Sequence, residues 1–352
     1  MSSRATLREV SELAEVSVAT ASLVLSGKDG SRFTEETAQR VRDAAEKLGY
    51  RTNRLARSLR QQSTRVIGLL SIEVATTPYA GAMVEGMRSA ARARDYDLLF
   101  NEVTFSKESI AAGLELMSDH RVDGVIIASY YHRAIDLPDN LPKNIVIADA
   151  YAKKIELDSF VPDETNSYLQ VLDLIGKSGH KHVGLISDGR DYPAVKGRKE
   201  AFLIAAEKYG WHDIQENMVM MNSDAETEMG YNAFNLLFGR NPQITAVAAY
   251  NDQIAMGVYE AARELGLNIP ADLSVVGFDN LELISGALRP GLTTVELPHF
   301  EMGRLAAERL IERVESEDEL PPEKVAIVGD IFVRGSVATP RTSVSRKVTR
   351  IH

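Results

Sequence analysis

Residues 6–27 read Thr6-Leu7-Arg8-Glu9-Val10-Ser11-Glu12-Leu13-Ala14-Glu15-Val16-Ser17-Val18-Ala19-Thr20-Ala21-Ser22-Leu23-Val24-Leu25-Ser26-Gly27. Thr6 to Glu9 form a capping box. Thr6 can accept from the backbone N–H of Glu9, and the Glu9 carboxylate can reach back to the N–H of Thr6. Leu7, Val10, Leu13 and Ala14 then share one helical face. Glu15-Val16 is a tight connection, and Ser17 is a good N-cap for a second helix running to about Leu25. Further on, Thr34 caps a third helix with Glu35 and Glu36 in its first turn, where the helix dipole favours anions. Its apolar face is Ala38, Val41, Ala45 and Leu48, and Gly49 stands at the expected C′ position. Two short helices across a tight turn, braced by a third, have helix-turn-helix geometry, a pattern also found in plain structural bundles.

The second helix carries more information. Val18, Ala19, Ala21, Leu23, Val24 and Leu25 make it apolar almost all round, whereas a surface helix ordinarily keeps a polar face. Val16, Ala21, Val24 and Leu25 can pack on the first and third helices. Val18, Ala19, Ser22 and Leu23 then point outwards, either against another domain or into a major groove, where small apolar side chains meet thymine methyl groups. The charge distribution bears on the choice. The chain of 352 residues has a net charge of −10, yet residues 1–65 hold 12 Lys/Arg against 8 Asp/Glu, a net +4, and the remainder is −14. A basic head on an acidic body suits a polyanion-binding module joined to something else.

Residues 6–27 resemble the N-terminal headpiece of the LacI–GalR family of bacterial transcriptional regulators. Thr6, Val10, Ala14, Val16, Ser17, Thr20, Ser22, Val24, Leu25 and Gly27 match the family pattern; Glu9, Ser11, Glu15 (for a turn glycine) and Ala21 depart from it. The resemblance implies that Val18, Ala19 and Leu23 read bases and that Ser17, Thr20 and Ser22 hold phosphates. Leu23 cannot donate a hydrogen bond, so A·T pairs are favoured where relatives contact guanine. Gly49-Tyr50-Arg51-Thr52-Asn53 followed by Ala56-Arg57-Ser58-Leu59 resembles the family's hinge, with Thr52 for a common proline. The resemblance assigns Asn53, Arg57 and Leu59 to DNA, Leu59 as a wedge that unstacks and kinks the minor groove. The alternative is an ordinary basic linker.

From Val66 on, apolar runs recur between helical stretches: 66–71, 96–100, 124–128, 145–148, 183–187, 219–221, 246–250, 274–278 and 325–332. Alternation at this spacing implies parallel sheets covered by helices on both faces, and the strand count implies two sheets. Ligands of such folds sit at the carboxyl ends of the strands. Gly179-His180, Tyr250-Asn251-Asp252, Ser274 to Asn280 and Leu292-Thr293-Thr294-Val295 resemble landmarks of the same family. The expected fold is therefore an α/β body of two Rossmann-like parallel-sheet lobes, periplasmic-binding-protein-like, behind an all-α helix-turn-helix head. Its expected parts are a headpiece over 1–50, a hinge over 51–64, an effector-binding and dimerisation domain over 65–340 and a basic tail over 341–352. Within the body, 65–161 and 291–322 are assigned to the first lobe, and 162–290 and 323–340 to the second.

Arg198, Asn251 and Asp279 stand at strand ends or helix starts of the second half. A carboxylate accepts hydroxyl donors, an arginine fork donates and an amide does both, a set that suits a polyol. The resemblance assigns these three residues to effector hydroxyls, with Tyr79 and Asp149 from the first half. Surface ion pairing and turn capping are the alternatives for Arg198 and Asp279. Leu297 stands near a common cleft glutamine, and Ala225 stands where purine-binding members carry an aromatic, which favours a sugar or sugar derivative over a nucleoside or purine. Tyr130, Tyr192 and Tyr231 are candidate stacking faces.

The absence of cysteine excludes disulfides, thiolate metal sites and a cysteine nucleophile. No phosphate-cradling, dinucleotide or nucleophile-elbow motif occurs, so no enzyme activity and no cofactor is expected. His180-Lys181-His182 has ligand-like spacing but reads as a turn into a strand, and no metal is expected. There is no run long enough to span a membrane and no apolar leader, giving an expected cytoplasmic location. The function expected is a sequence-specific repressor that binds pseudo-palindromic double-stranded operator DNA as a homodimer under control of a small-molecule effector. A solute receptor without DNA function is the alternative.

Overall fold

The computed structural model describes residues 5–25, 33–50, 63–74, 81–222 and 226–341. The chain forms two compact units, residues 1–64 and 65–352. The hinge candidates Asn53, Arg57 and Leu59, together with Tyr79, Ala225 and the tail beyond Arg341, lie outside the described residues. Among the described residues no helix is long and apolar enough to cross a membrane.

The head contains α1 (Leu7–Leu13), α2 (Val18–Leu25) and α3 (Glu35–Lys47). The capping box closes: Thr6 N–H donates to Glu9 Oε2 at 2.6 Å, and Glu9 N–H donates to Thr6 Oγ1 at 3.3 Å. Val10, Ala14, Ala21, Val24, Ala38, Val41, Ala44 and Ala45 form the core, with Leu7, Val16, Leu25, Phe33 and Tyr50 packed around it. Two expected core residues differ. Leu13 and Leu48 are exposed at helix ends, while Ser11 and Ala44 are buried instead. A core built largely from alanine and valine is thin, so small backbone costs matter here.

Glu15 has φ of +54° in the turn between α1 and α2. A left-handed conformation costs an L-residue about 1–2 kcal/mol, partly offset by the greater flexibility of a glycine in the unfolded chain. Glu15→Gly is therefore expected to stabilise the head by roughly 0.5–1 kcal/mol. Urea denaturation of the head followed by circular dichroism checks it, and an unchanged or lowered midpoint counts against a strained turn.

The body holds β1 (Val66–Ile72), α4 (Gly81–Ala93), β2 (Asp97–Val103), α5 (Lys107–Asp119), β3 (Gly124–Ile135), β4 (Ile145–Ala152) and β5 (Asp158–Pro162). These are followed by α6 (Glu164–Lys177), β6 (Val183–Asp188), α7 (Pro193–Tyr209), β7 (Met218–Met221), α8 (Glu226–Arg240), β8 (Ala246–Ala249), α9 (Asp252–Glu264) and β9 (Ser274–Val276). The chain continues through α10 (Glu282–Ser285), β10 (Thr294–Val295), α11 (His299–Glu315), β11 (Lys324–Ile327) and β12 (Ile331–Phe332). The first sheet is parallel, ordered β11-β5-β4-β3-β1-β2, and the second is parallel, ordered β7-β6-β8-β9.

Strand parity explains the layers. Ile67 and Leu69 of β1 face α4 and α11, whereas Leu70 and Ile72 face α5. A parallel sheet must bury both faces, so its strands read as continuous apolar runs. The α4–α11 crossing is very close. A Cβ on Gly86 would lie 2.0 Å from Phe300 O, and one on Gly303 would lie 2.0 Å from Met83 O.

Three boundaries differ from expectation. The 292–295 segment belongs to the second lobe: Gly277 N–H donates to Thr293 O, and β10 pairs with β12. The return to the first lobe begins only at α11. The run 325–332 is two strands in different sheets, because β11 pairs with β5 whereas β12 pairs with β10. Residues assigned to the second lobe from 323 onwards thus start in the first. The anchor is Asp158, fully buried, which accepts from Arg309 Nε at 3.0 Å, from Arg313 Nε and from Glu323 N–H at 2.8 Å. The chain passes between lobes three times, near residues 163, 297 and 329. At the third crossing, Gly329 N–H donates to Ser167 Oγ at 3.0 Å, and Gln170 Nε2 donates to Gly329 O at 2.7 Å.

Candidate functional site

On the head, Val18 is 46% exposed, Ser17 and Ala19 are exposed, and Thr20, Ser22 and Leu23 are half-buried. Ala21 and Val24 on the opposite face are buried against α1 and α3. The α2 helix therefore presents small apolar groups outwards while contributing to the core. Ser17 Oγ accepts from Thr20 N–H at 3.0 Å and lies 2.9 Å from Thr20 Oγ1. One hydroxyl proton is spent within that pair, which leaves the other for an acceptor such as a phosphate oxygen.

In the body, a narrow pocket opens between the lobes, lined by Tyr130, Tyr131, His132, Asp149, Glu164, Ala194, Arg198, Tyr250, Asn251, Asp279 and Leu297. It gathers Arg198, Asn251, Asp279 and Asp149 in one place. Arg198, Asn251 and Asp279 arrive from beyond the carboxyl end of a strand or from the start of a helix, where parallel-sheet folds leave room for a ligand.

Arg198 lies in the first turns of α7, and its side chain is 4% exposed. Its Nε donates to Glu164 Oε2 at 2.8 Å, its Nη1 donates to Tyr250 O at 2.6 Å, and its Nη2 stands 3.8 Å from Asp279 Oδ1. The guanidinium is sandwiched, its carbon 3.7 Å from the Phe278 ring centroid and 4.3 Å from that of Tyr250. Two of its three nitrogens are committed to the protein, so the fork is not open as the sequence suggested. What remains for a ligand is Nη2 beside Asp279.

Asn251 is the N-cap of α9. Its Oδ1 accepts from Ile254 N–H at 2.9 Å and its Nδ2 donates to Glu226 Oε2 at 2.7 Å. Asp279 has φ of +102° and donates its N–H to Val295 O at 2.7 Å, which turns its carboxylate into the cavity. Asp149 does not end β4 but sits inside it with φ of +53°, opposite an irregularity in the pairing of β3 between Ala128 and Arg133. Its Oδ2 lies 3.8 Å from His299 Nε2, and its Oδ1 is buried with no hydrogen-bond partner.

Burial raises the pKa of most carboxyls in this group. Desolvation holds Asp149 and Asp279 above the usual carboxylate range, and Glu226 moves the same way. Glu164 is displaced downwards: burial raises it, but the Arg198 charge and hydrogen bond, with His132 close by, outweigh that. Behind the cavity, burial pushes Asp252 up to about 7, although Thr294 Oγ1 donates to it at 2.6 Å and Leu281 N–H at 2.7 Å.

A carboxyl whose pKa is raised on folding binds its proton more tightly in the folded state, so stability falls as pH rises through that pKa. The thermal midpoint of the protein is expected to rise as pH falls from about 8 to about 6.5, and Asp252→Asn is expected to flatten that slope. Below about 6.5 the buried His180, held down to about 4 by desolvation, opposes the gain because the unfolded imidazole takes up a proton. A midpoint that falls over that upper window, in wild type, contradicts this assignment.

Several cavity residues were not singled out beforehand. Glu164 and His132, with His132 Nδ1 3.9 Å from Glu164 Oε1, were missed, as was Tyr131. Tyr131 stacks on Tyr192 with ring centroids 6.1 Å apart, and Tyr130 lines the wall. Tyr231 is elsewhere, donating its hydroxyl to Glu264 at 2.6 Å. The two nitrogens of His180 are 2.9 Å from Thr245 Oγ1 and 2.8 Å from Ala338 O, a structural role.

Comparison with known proteins is consistent with this geometry. Residues 6–53 match the family model for bacterial regulatory proteins of the lacI family, and residues 173–337 match a periplasmic binding protein-like domain. The chain is 30% identical to the HTH-type transcriptional repressor PurR of Actinobacillus pleuropneumoniae, over 95% of this chain and 98% of that one. It is 28% identical to the ribose operon repressor of Haemophilus influenzae, over 90% and 93%. The fold is shared with the lac repressor dimer bound to operator and the anti-inducer ONPF, at a TM-score of 0.73 and 21% identity, over 96% of this chain and all of that one.

Proposed function

The chain belongs to the LacI family of bacterial regulatory proteins, and from that premise we propose that it is an operator-binding repressor whose DNA affinity is set by a polyol bound between the lobes of its body. The observation that carries this is the cavity itself. Arg198, Asn251, Asp279 and Asp149, far apart in the sequence, line one buried opening between two lobes joined by three chain crossings. A ligand touching both lobes favours one interlobe angle over another, and linkage then couples its binding to whatever that angle controls.

DNA contact falls to α2. Val18, Ala19 and Leu23 face base edges, and Ser17, Thr20 and Ser22 face phosphates. Asn53, Arg57 and Leu59 act from the segment between head and body. A pseudo-palindromic operator requires two heads, so the acting species is a homodimer. The basic head meets phosphate, while the acidic body is repelled from it, which favours a head-down approach. Arg198 Nη2, Asn251 and Asp279 take ligand hydroxyls from the second lobe, with Asp149 and Tyr79 opposite.

A duplex selected from random sequence supplies the operator for the test. Leu59→Ala is expected to weaken operator binding about 10- to 100-fold, the value of a lost intercalating wedge of a few kcal/mol, while leaving the affinity for cleft ligands unchanged. Fluorescence anisotropy at fixed salt reads it. Undiminished operator affinity would remove Leu59 from the interface and leave an ordinary linker.

A further inference from the structure

We propose that the ligand of the interlobe cleft carries a protonated amine on its polyol frame, so that the cleft selects an amino sugar over neutral and anionic sugars. The inference rests on the cleft being the effector site and concerns only the chemistry of what fills it.

The charges around the cavity do not balance. Asp149, Glu164 and Asp279 line it, Glu226 is bonded to the lining Asn251, and Asp188 lies beyond at the end of β6. Against these five acids stand Arg198, committed to Glu164, and Arg190, held on Asp188 by a two-oxygen contact; Arg133, 5.5 Å from the Tyr130 and Tyr131 ring centroids, is offset by Glu73 at 3.8 Å. With all five ionised and both His132 and His299 neutral, the excess would be three negative charges; burial instead biases Asp149, Asp279 and Glu226 toward the neutral form, and a ligand cation is the partner that would let them ionise. An anionic ligand such as a sugar phosphate adds to that excess inside a desolvated site, where an unpaired charge is costly.

The second observation is the orphaned oxygen. Asp149 is 2% exposed, lines the cavity, and its Oδ1 has no hydrogen-bond partner. A buried carboxylate oxygen left unpaired costs free energy unless a donor arrives. An ammonium group offers three donors and no acceptor, and it supplies the missing charge as well. Asp279 is the other incompletely paired carboxylate, its nearest cation being Arg198 Nη2 at 3.8 Å. Burial keeps both acids above their ordinary range, the condition of carboxylates that still lack a counter-ion.

The aromatic wall fits the same ligand. Tyr130 and Tyr131 line the opening, and Tyr131 is stacked on Tyr192. Tyrosine faces attract cations and also pack on the apolar face of a sugar ring. The neutral parts of the ligand keep the partners described above, Arg198 Nη2 and Asn251.

Isothermal titration of the full-length protein near neutral pH, with matched sugars, tests this. The sets are glucosamine, glucose, N-acetylglucosamine and glucose 6-phosphate, with the galacto and manno counterparts of each. At least one free amine is expected to bind roughly tenfold or more tightly than both its parent hexose and its N-acetyl derivative, the value of one charge-assisted hydrogen bond, and the phosphates are expected not to bind. Asp149→Asn is expected to lower the affinity for that amine about tenfold while moving the parent hexose less than about threefold. A neutral or phosphorylated sugar that binds as tightly as its amine overturns the amine and leaves the polyol cleft standing. Failure of every sugar to bind at about 10 mM overturns the polyol cleft together with the amine. The wild-type comparison decides the matter should Asp149→Asn fail to fold.

Discussion

Arg198→Ala is expected to destabilise the protein by about 3–5 kcal/mol and to abolish any effect of cleft ligands on operator binding. The magnitude follows from what is left behind. The Glu164 carboxylate is 5% exposed, and its hydrogen-bonded cation is Arg198. Without the guanidinium, a charge stays buried beside His132 alone, Tyr250 O loses its donor, and a slot opens between the rings of Phe278 and Tyr250. Lysine does not repair this, because a point charge cannot donate to Glu164 and Tyr250 O at once while stacking between two rings. Much of the loss comes from the stranded Glu164, so Glu164→Gln placed on top of Arg198→Ala is expected to recover part of it. Urea denaturation of the four proteins of this cycle measures the coupling. A loss below about 1 kcal/mol, or no recovery in the double variant, contradicts a buried and hydrogen-bonded pair.

Val18→Glu is the second large effect, on the head. Val18 is 46% exposed and stands outside the head core, so the substitution is expected to leave the thermal midpoint within a degree or two. On DNA the new carboxylate would enter a groove bordered by phosphates, and unfavourable charge juxtaposition of that kind costs several kcal/mol. Operator affinity is expected to fall roughly 100-fold or more. Val24→Asp gives the contrast. Val24 is 4% exposed in the head core, so that change unfolds the head before it says anything about DNA. Undiminished operator binding by a folded Val18→Glu protein would move the reading surface off α2.

Local signals made the head legible. The capping box at Thr6 and Glu9, the caps at Ser17 and Thr34, and the left-handed Gly49 each depend on residues within four positions of one another. The strand–helix alternation of the body was equally plain, since buried parallel strands are short apolar runs. What the sequence hid was pairing at a distance. Val325 to Phe332 reads as one strand, and only partners more than 30 residues away, Ser159 to Pro162 on one side and Thr294 and Val295 on the other, divide it between two sheets. The cavity was legible where a residue type and a strand end coincided, as at Asn251 and Asp279. Glu164 was not, because an acidic residue at the start of a helix is already explained by the dipole. Its role depends on Arg198, 34 residues later. The commitment of two Arg198 nitrogens to the protein was hidden for the same reason.

The cleft and the head are proposed to be two ends of one equilibrium, and one measurement bears on that directly. The operator dissociation constant of the full-length protein is determined by anisotropy at fixed salt, without ligand and with the tightest-binding sugar of the matched sets at saturation. It is repeated for Asp279→Asn. Coupling predicts a shift of about 5- to 150-fold in the wild type and little or none in the variant. The same operator affinity with and without a sugar shown to occupy the cleft would contradict the account.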